Sequence, residues 1–175
     1  MTDNLEIRES AASDLGLIET LYPLAFPDEN LLPLVKDLMR EEAAVLSLLG
    51  ERGSSLAGHA IFTYCGLTGS RDKAALLGPV AVAPDCQRQG VGSALISAGL
   101  QRLEDEGLAF VFVLGDPAYY QRLCFQPNAP VGAPYPLPDA WLGAWQWITF
   151  GQSKPPPDAT LSVPKPWREP ALWGP

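Results

Sequence analysis

One hexapeptide, Gln87-Arg-Gln-Gly-Val-Gly92, combines residue types that are suited to binding a phosphate group. The apolar residues 74–84 before it are typical of a buried strand, and the apolar residues after it recur at helical spacing as far as Gly107. The first N–H groups of such a helix have no partner within it and point at any anion placed there. Because glycine lacks a side chain, a pyrophosphate can approach the backbone closely. The pattern predicts a phosphate-binding turn with seven candidate ligands: Gln87, Arg88, Gln89, Gly90, Val91, Gly92 and Ser93.

Two other phosphate-binding motifs fit these residues less well. A dinucleotide fingerprint requires a third glycine, as in G-x-G-x-x-G, but Ala94 and Leu95 follow Gly92. A P-loop requires Gly-Lys-Ser/Thr, and no lysine lies between Lys73 and Lys154. A plain strand-to-helix turn that contains two glycines would also explain the hexapeptide. The residues downstream of it are needed to distinguish a phosphate-binding turn from a plain one.

Downstream of the turn and its helix, the sequence predicts a second strand and a short helix. The apolar strand 108–114 ends at Gly115-Asp-Pro117, and the helix 118–123 ends before Cys124-Phe-Gln-Pro127. A strand–helix–strand unit joins two strands by a right-handed crossover, and a crossover of this kind connects parallel strands. The two strands around the first helix are therefore expected to be parallel.

These residues together resemble a known enzyme family. The pattern Q/R-x-x-G-x-G/A, placed between a strand and a helix, resembles the acetyl-CoA pyrophosphate loop of the GNAT N-acetyltransferase superfamily. That family usually carries Y-x-x-x-G-F in the following helix, and Tyr120 precedes Phe125 by this spacing, although Cys124 replaces the glycine. The resemblance covers residues 74–127 well. It implies an α+β fold with a central mixed, mostly antiparallel sheet, flanked by helices, whose parallel fourth and fifth strands splay apart.

The resemblance also implies a reaction. The protein would transfer an acetyl group from acetyl-CoA to a primary amine of a small molecule or peptide by direct attack. The pantetheine arm would pair with the free edge of the fourth strand, here Val80 and Val82, while Ala81 faces the other way. A bulge near Gly78-Pro79 would open this edge, and the N–H of Val80 would stabilise the oxyanion.

Tyr120 is the predicted general acid. A phenol hydrogen-bonded to the sulfur can protonate the departing CoA thiolate. Tyr119, its neighbour, points elsewhere on the helix and is expected only to pack.

The general base is left open by the sequence. Many relatives use a glutamate of the fourth strand, but residues 74–82 include no acid. His59, the only histidine, is a candidate base or substrate-binding residue because imidazole titrates near neutral pH. A packed core histidine and a water chain to solvent are the alternatives. The missing acid also keeps open a second function, a non-catalytic acyl-CoA-binding or regulatory domain.

Composition favours a compact domain. The chain has 175 residues, 47% of them hydrophobic, and a mean hydropathy of +0.04, which suits a sizeable core. We expect one domain over residues 1–163. A proline-rich tail over residues 164–175 should lie extended on the surface, held by Trp167 and Trp173, unless it is a ligand for an SH3-type domain.

Charge and cysteine content limit which classes of partner and metal site are expected. The net charge of −8 argues against nucleic-acid binding and is compatible with a cationic substrate. No apolar run approaches the ~20 residues that span a bilayer, so no membrane segment is expected. Three cysteines without metal-ligand spacing and one histidine argue against a metal site. Free thiols and a charged N-terminus predict a cytoplasmic protein, as a monomer or homodimer.

The remaining elements are predicted from periodicity and capping residues. A first strand over residues 5–8 precedes a helix that is capped by Ser10 or Ser13, has Asp14 near its positive end and closes at Pro27. Asn30 would cap a second helix that continues to Glu42. Residues 44–50 and 56–63 read as a hairpin, residues 66–72 as a loop, and residues 144–150 and 159–163 as two further strands.

Overall fold

The computed structural model describes residues 4–40 and 44–175. Within them, seven strands are found: β1 (Leu5–Glu9), β2 (Val45–Arg52), β3 (Ser55–Leu67), β4 (Lys73–Val82), β5 (Phe110–Leu114), β6 (Trp145–Thr149) and β7 (Leu161–Ser162). The α-helices in the same residues are α1 (Leu15–Ala25), α2 (Leu32–Arg40), α3 (Val91–Asp105) and α4 (Pro117–Tyr120). The predicted end of the second helix at Glu42 falls outside the described residues.

The strands form one mixed sheet. Its order is β1-β2-β3-β4-β5-β6, and β7 pairs antiparallel with the end of β3. β1 is antiparallel to β2 and β6 is antiparallel to β5, whereas β4 and β5 are parallel. The predicted fold class, a mainly antiparallel sheet with parallel fourth and fifth strands flanked by helices, is confirmed.

The β4–β5 register covers only the first part of β4. It runs from Ala74↔Phe110 to Leu77↔Val113, while β4 itself continues to Val82. Along this continuation Ala81 is fully buried, and Val80 and Val82 are half-buried.

The described chain divides into two compact units. The first comprises the residues up to Phe62 together with Gly78–Gln101, and the second comprises Thr63–Leu77 and Arg102–Pro175. β3, β4 and α3 contribute residues to both units.

In the first unit, α3 begins where it packs closely on β3. The contact is made at Gly58, where a Cβ atom would lie 2.9 Å from side-chain carbons of both Val91 and Leu95. Since Val91 is the first residue of α3, this contact fixes the start of the helix beside β3.

The second unit has an aromatic core. The ring of Trp173 lies 5.6 Å from that of Trp145 and 5.9 Å from that of Trp167, measured between centroids. The indole of Trp173 donates to the carbonyl of Trp167, and the indole of Trp167 donates to the hydroxyl of Thr63, both at 3.0 Å.

The predicted course of the C-terminal tail is therefore wrong in one respect. Residues 164–175 are not extended, because they form two short 3-10 helices, Lys165–Trp167 and Pro170–Leu172. Their tryptophans face inward, and Trp173 is only 1% exposed.

The start of α1 also differs from the prediction. Neither Ser10 nor Ser13 caps it; a 3-10 turn, Ala12–Asp14, precedes the helix, and the hydroxyl of Ser10 bonds to that of Ser47. Asp14 is buried and accepts hydrogen bonds from the guanidinium of Arg8 and the N–H of Ala11, which lower its pKa to about 2. Asp14 thus lies directly before α1, at its positive end as predicted, and the ion pair with Arg8 holds its carboxylate there.

One predicted boundary is also corrected, since β3 extends to Leu67, which shortens the predicted loop 66–72. α1 ends at Ala25 with Phe26 as its C-cap, directly before Pro27, the residue predicted to close it. In the residues described, no helix has the length and apolar character needed to cross a membrane.

Candidate active site

The predicted phosphate-binding turn lies at the start of α3. A short 3-10 helix, Pro84–Cys86, follows β4 and leads into the turn. The N–H of Ala94 donates to the carbonyl of Gly90 at 2.9 Å. The amides of Val91, Gly92 and Ser93 therefore precede the first hydrogen bond of the helix and have no acceptor within it.

The tip of this turn leaves room for a ligand. Gly90 has a φ of +82° and is exposed, and no atom lies within 4 Å of the position that its Cβ would occupy. Arg88 is exposed and also has a positive φ, +61°. A non-glycine residue rarely adopts this conformation, so the positive φ of Arg88 marks a tight bend of the backbone directly before α3.

Two glutamine side chains tie the turn to its surroundings. Gln87 donates from Nε2 to the carbonyl of Val82 at 3.2 Å, and Gln89 donates to the carbonyl of Asp85 at 2.9 Å. Gln89 in turn accepts a hydrogen bond from the guanidinium of Arg52. Their side chains therefore position the turn, and Arg52 adds a second cation next to it.

Tyr120 lies at the end of α4, in the second unit. Asp116 caps this helix by accepting from the N–H of Ala118 at 3.0 Å. The ring of Tyr120 makes an edge contact with that of Phe125 at 5.6 Å. It also fills space left by Gly115, where a Cβ atom would lie 2.5 Å from its Cε2 atom.

The electrostatic surroundings keep the Tyr120 phenol protonated. Burial raises its pKa well above the usual value, and the neighbouring Tyr119 adds to the rise. The side chain is therefore a proton donor at neutral pH, as a general acid must be before it acts.

Cys124 occupies a left-handed backbone position. Its φ is +72°, immediately after the 3-10 helix Gln121–Leu123. Glycine adopts this conformation without strain, which explains why a glycine is usual at this place in the resembling sequences. The turn brings the N–H of Phe125 to the carbonyl of Tyr120 at 3.2 Å.

His59 does not have the surroundings of a direct general base. It is 0% exposed, its Nδ1 lies 2.8 Å from the hydroxyl of Tyr22, and its Nε2 lies 2.7 Å from the hydroxyl of Ser47. Burial lowers its pKa to about 4, so the imidazole is neutral at pH 7. Because both ring nitrogens are bonded within the core, neither is free for direct contact with a substrate amine, and the role of His59 as a candidate base stays a prediction.

Comparison with known proteins decides the family. The model of the acetyltransferase (GNAT) family matches residues 15–124, which is more than half of the chain. The chain belongs to this family. The resemblance noted in the sequence is thereby confirmed, and with it the assignment to the acetyltransferases.

The relatives of this GNAT protein include one curated sequence with substantial identity. The uncharacterized N-acetyltransferase YjhQ of Escherichia coli K12 is 38% identical over 144 residues, which are 78% of this chain and 78% of that protein.

Two solved structures share the fold over most of their length. A GNAT family acetyltransferase from Brucella melitensis in complex with acetyl-CoA superposes with a TM-score of 0.77 at 26% identity, covering 94% of this chain and 99% of that one. The GNAT family N-acetyltransferase YhbS from Escherichia coli in complex with CoA gives the same TM-score and identity, with 85% and 83% covered.

The residues predicted for this GNAT site are distributed over both units. The turn from Gln87 to Ser93, the continuation of β4 from Val80 to Val82, and His59 lie in the first unit, and Tyr120 lies in the second. Among residues 4–40 and 44–175, no group of three or more histidine, cysteine, aspartate or glutamate side chains is arranged to hold a metal ion.

Arg52 was not predicted from the sequence. This arginine ends β2, and 37 positions separate it from Gln89, the residue of the turn that it contacts. No local motif surrounds it, and only the folded chain brings the two side chains together.

Proposed function

We propose that this GNAT protein transfers the acetyl group of acetyl-CoA to a primary amine of a small molecule or peptide by direct attack. The observation that carries the proposal is the turn before α3, where three successive amides without helical acceptors border open space at Gly90. Backbone N–H groups at a helix start are a general pyrophosphate site. Related structures that contain acetyl-CoA and CoA support the same ligand.

Within this proposal, the amides of Val91, Gly92 and Ser93 bind the pyrophosphate. Arg88, exposed beside them, pairs with a phosphate of CoA near solvent, where screening limits its contribution. The side chains of Gln87 and Gln89 hold the turn through the hydrogen bonds described above.

The backbone of β4 would orient the reacting thioester. The pantetheine arm adds alongside the part of β4 that follows its last register pair with β5, using backbone groups of Val80 and Val82. The N–H of Val80 stabilises negative charge on the carbonyl oxygen as the amine attacks. Ala81, which is fully buried, anchors the strand from its other face.

Tyr120 would then protonate the leaving thiolate. A tyrosine holds its proton at neutral pH, and burial, which raises the pKa of the Tyr120 phenol, extends this state to more alkaline pH. A thiol has a pKa of ~8.5, so its thiolate is only a weak base and one hydrogen-bonded proton donor suffices.

The decisive experiment measures release of free thiol from acetyl-CoA in the presence of a panel of primary amines. An acetyltransferase produces thiol only when a suitable amine is present, whereas a non-catalytic acyl-CoA-binding domain binds CoA and releases none. This second function is kept as the alternative because β4 carries no acidic residue from Lys73 to Val82.

A variant of the turn tests where CoA binds. Gly92→Asp places a negative charge at the proposed pyrophosphate site and should abolish CoA binding in calorimetry. Since Gly92 is buried, Gly90→Asp is the second variant: its position is open, and aspartate tolerates a positive φ better than most residues.

Gly16→Asp is the matched control. Gly16 lies in the first turn of α1, and a Cβ there would meet no atom within 4 Å. It should leave CoA affinity unchanged. Unchanged affinity in folded Gly90→Asp would show that CoA binds elsewhere.

A further inference from the structure

A line of four hydrogen-bonding side chains crosses the interior of the first unit. The hydroxyls of Ser10 and Ser47 are 2.7 Å apart, and Ser47 lies 2.7 Å from Nε2 of His59. Nδ1 of His59 lies 2.8 Å from the hydroxyl of Tyr22. His59 and Tyr22 are 0% and 1% exposed, so this line is a buried polar feature of the core.

Each end of the line reaches a cavity. Tyr22 lines one of about 100 Å³, whose wall also includes Glu29 and Asn30. Ser10 and Ser47 line another of about 240 Å³, together with Glu9. The four side chains thus connect two separate pockets of the same unit.

The middle member has the chemistry of a proton carrier. A neutral imidazole can accept a proton at one ring nitrogen while it releases another from the second. A hydroxyl can likewise donate and accept at once. Because burial lowers the pKa of His59 and raises that of Tyr22, neither group holds a charge at neutral pH. Protons must therefore move along the line together.

The line also lies next to the strand proposed to hold the thioester. His59 directly follows Gly58, whose Cβ position is 3.0 Å from the carbonyl oxygen of Ala81 in β4. That strand supplies no carboxylate that could take the proton of an amine.

We propose that these four side chains are a proton relay that removes the proton of an ammonium acceptor bound in the Tyr22 cavity. The members, in order, are Tyr22, His59, Ser47 and Ser10. The proposal rests on the acetyltransferase function proposed above. It also gives a class of acceptor, an amine that is protonated at neutral pH, which the carboxylate of Glu29 in the cavity wall favours.

The transfer is balanced at every atom. The ammonium N–H bond breaks and its proton joins the oxygen of Tyr22, whose own proton moves to Nδ1 of His59. The proton on Nε2 passes to the oxygen of Ser47. Ser10, which donates to Ser47 in the resting arrangement, turns its O–H toward water in its cavity, and its oxygen then accepts the proton of Ser47. Ser10 releases its proton to water in the cavity lined by Glu9. Each hydroxyl keeps one proton, and His59 exchanges one tautomer for the other.

In this relay Tyr22 contacts the substrate, while His59, Ser47 and Ser10 act through it. Tyr22→Phe and Ser47→Ala each interrupt the line by removing one hydroxyl. At pH 7 the turnover number should fall by on the order of 10²-fold in both variants, with CoA affinity unchanged. Ser10→Ala, at the outer end where Ser10 is only half-buried, should give a smaller loss because water can replace its hydroxyl.

The pH profile separates a relay from a merely structural role. Above the pKa of the amine, the acceptor arrives without its extra proton and the relay is not needed, so the variants should approach wild-type turnover. Rates are compared as variant-to-wild-type ratios at each pH, so that effects of pH on other groups enter both members of the ratio. The acidic groups that line the two cavities are Glu29 and Glu9. Tyr22 is the titratable group bonded to His59, and the nearby Arg8 and Asp14 are paired with each other at 2.7 Å.

Thr20→Ala is the matched control. Thr20 is an exposed hydroxyl residue of α1 that bonds only to its own helix, at the carbonyl of Gly16. Turnover in this variant should equal that of the wild type at every pH.

Two results would disprove the relay, and a third would disprove the proposed acetyltransferase function as well. Wild-type turnover in Tyr22→Phe and Ser47→Ala at pH 7 shows that the proton leaves by another route. A loss that is equal at all pH values, with folding and CoA affinity intact, shows a structural role only. Wild-type protein that releases no thiol with any amine disproves the proposed function itself, and the relay with it.

Discussion

At the scale of single residues, the position of the Tyr120 ring depends on a neighbour that has no side chain. The ring fills the space at Gly115, and Phe125 contacts it from another direction. A side chain held on two sides can place its hydroxyl reproducibly, which a general acid requires.

We therefore predict that Tyr120→Phe lowers the turnover number by about 10²-fold while CoA affinity stays nearly unchanged. The ring packing is kept and only the acidic hydroxyl is lost. Because burial raises the pKa of Tyr120, the wild-type rate should fall only on the alkaline side of the usual tyrosine range, and this limb should be absent in the variant. Steady-state kinetics over pH, with calorimetry for CoA, measure both effects.

Tyr119→Phe is the control for this prediction, since Tyr119 is the adjacent tyrosine of α4 and should keep full turnover. Gly115→Ala should resemble Tyr120→Phe, because the added methyl group would displace the ring. Full turnover in Tyr120→Phe would mean that the thiolate leaves unaided or through water.

Local spacing predicted where the candidate residues lie in the fold, but not which distant residues the fold brings together. The turn lies at the start of α3 and Tyr120 at the end of α4, as their spacing predicted, while their roles stay predictions. The positive φ of Cys124 explains the one departure from the family pattern. The burial of His59 was not predictable, because a lone histidine in a strand can face either side of a sheet. Its partner Tyr22 is 37 positions away.

At the scale of elements, the turn and α3 act as one device. Gly58 allows the first residues of α3 to lie against β3, and the side chains of Gln87 and Gln89 hold the turn that leads into it. Phosphate affinity should then come mainly from fixed backbone amides, with arginine charge as a smaller addition.

Substitutions of Arg88 test how CoA affinity is divided between the backbone amides and the arginine charge. Arg88→Ala should weaken CoA affinity several-fold, far less than Gly92→Asp, because the guanidinium is exposed and its charge is screened. Since Arg88 has a φ of +61°, Arg88→Gly removes the same charge without forcing a Cβ into the left-handed region.

The two variants should therefore weaken CoA binding about equally in calorimetry if only the charge of Arg88 matters. Weaker binding by Arg88→Ala than by Arg88→Gly would show that the shape of the turn contributes as well. A loss for both that matches Gly92→Asp would assign the binding energy to the side chain and contradict the backbone account.

Elements were predicted correctly where their pattern is local, and their ends were missed where a distant partner sets them. The parallel β4–β5 pair followed from the strand–helix–strand order alone. The extension of β3 to Leu67 did not, because its last residues are stabilised by pairing with β7, which comes about 95 positions later. The start of α1 was missed because the ion pair of Arg8 with Asp14 replaces a hydroxyl cap.

At the scale of the whole molecule, tryptophan is concentrated at one end of the chain. All five tryptophans lie at or after position 141, and residues 127–175 also hold 12 of the 18 prolines. Trp145 and Trp147 lie in β6 and are held by its ladder with β5. Proline breaks regular elements, so residues 164–175 have no long ladder and depend on side-chain packing. The indole hydrogen bonds from Trp173 to Trp167 and from Trp167 to Thr63 connect the last residues to β3 within the second unit.

We predict that Trp173→Ala lowers the free energy of unfolding by about 3–5 kcal/mol, the usual cost of deleting a large buried aromatic side chain. Trp173 is 1% exposed, and its removal leaves both a cavity beside Trp145 and an unpaired carbonyl at Trp167. Trp141→Ala is the control, because that tryptophan is only half-buried and should cost far less. Urea unfolding followed by far-UV circular dichroism measures both changes without relying on indole fluorescence. Equal, small losses in the two variants would contradict this account, because they would show that residues 164–175 add little to the free energy of unfolding.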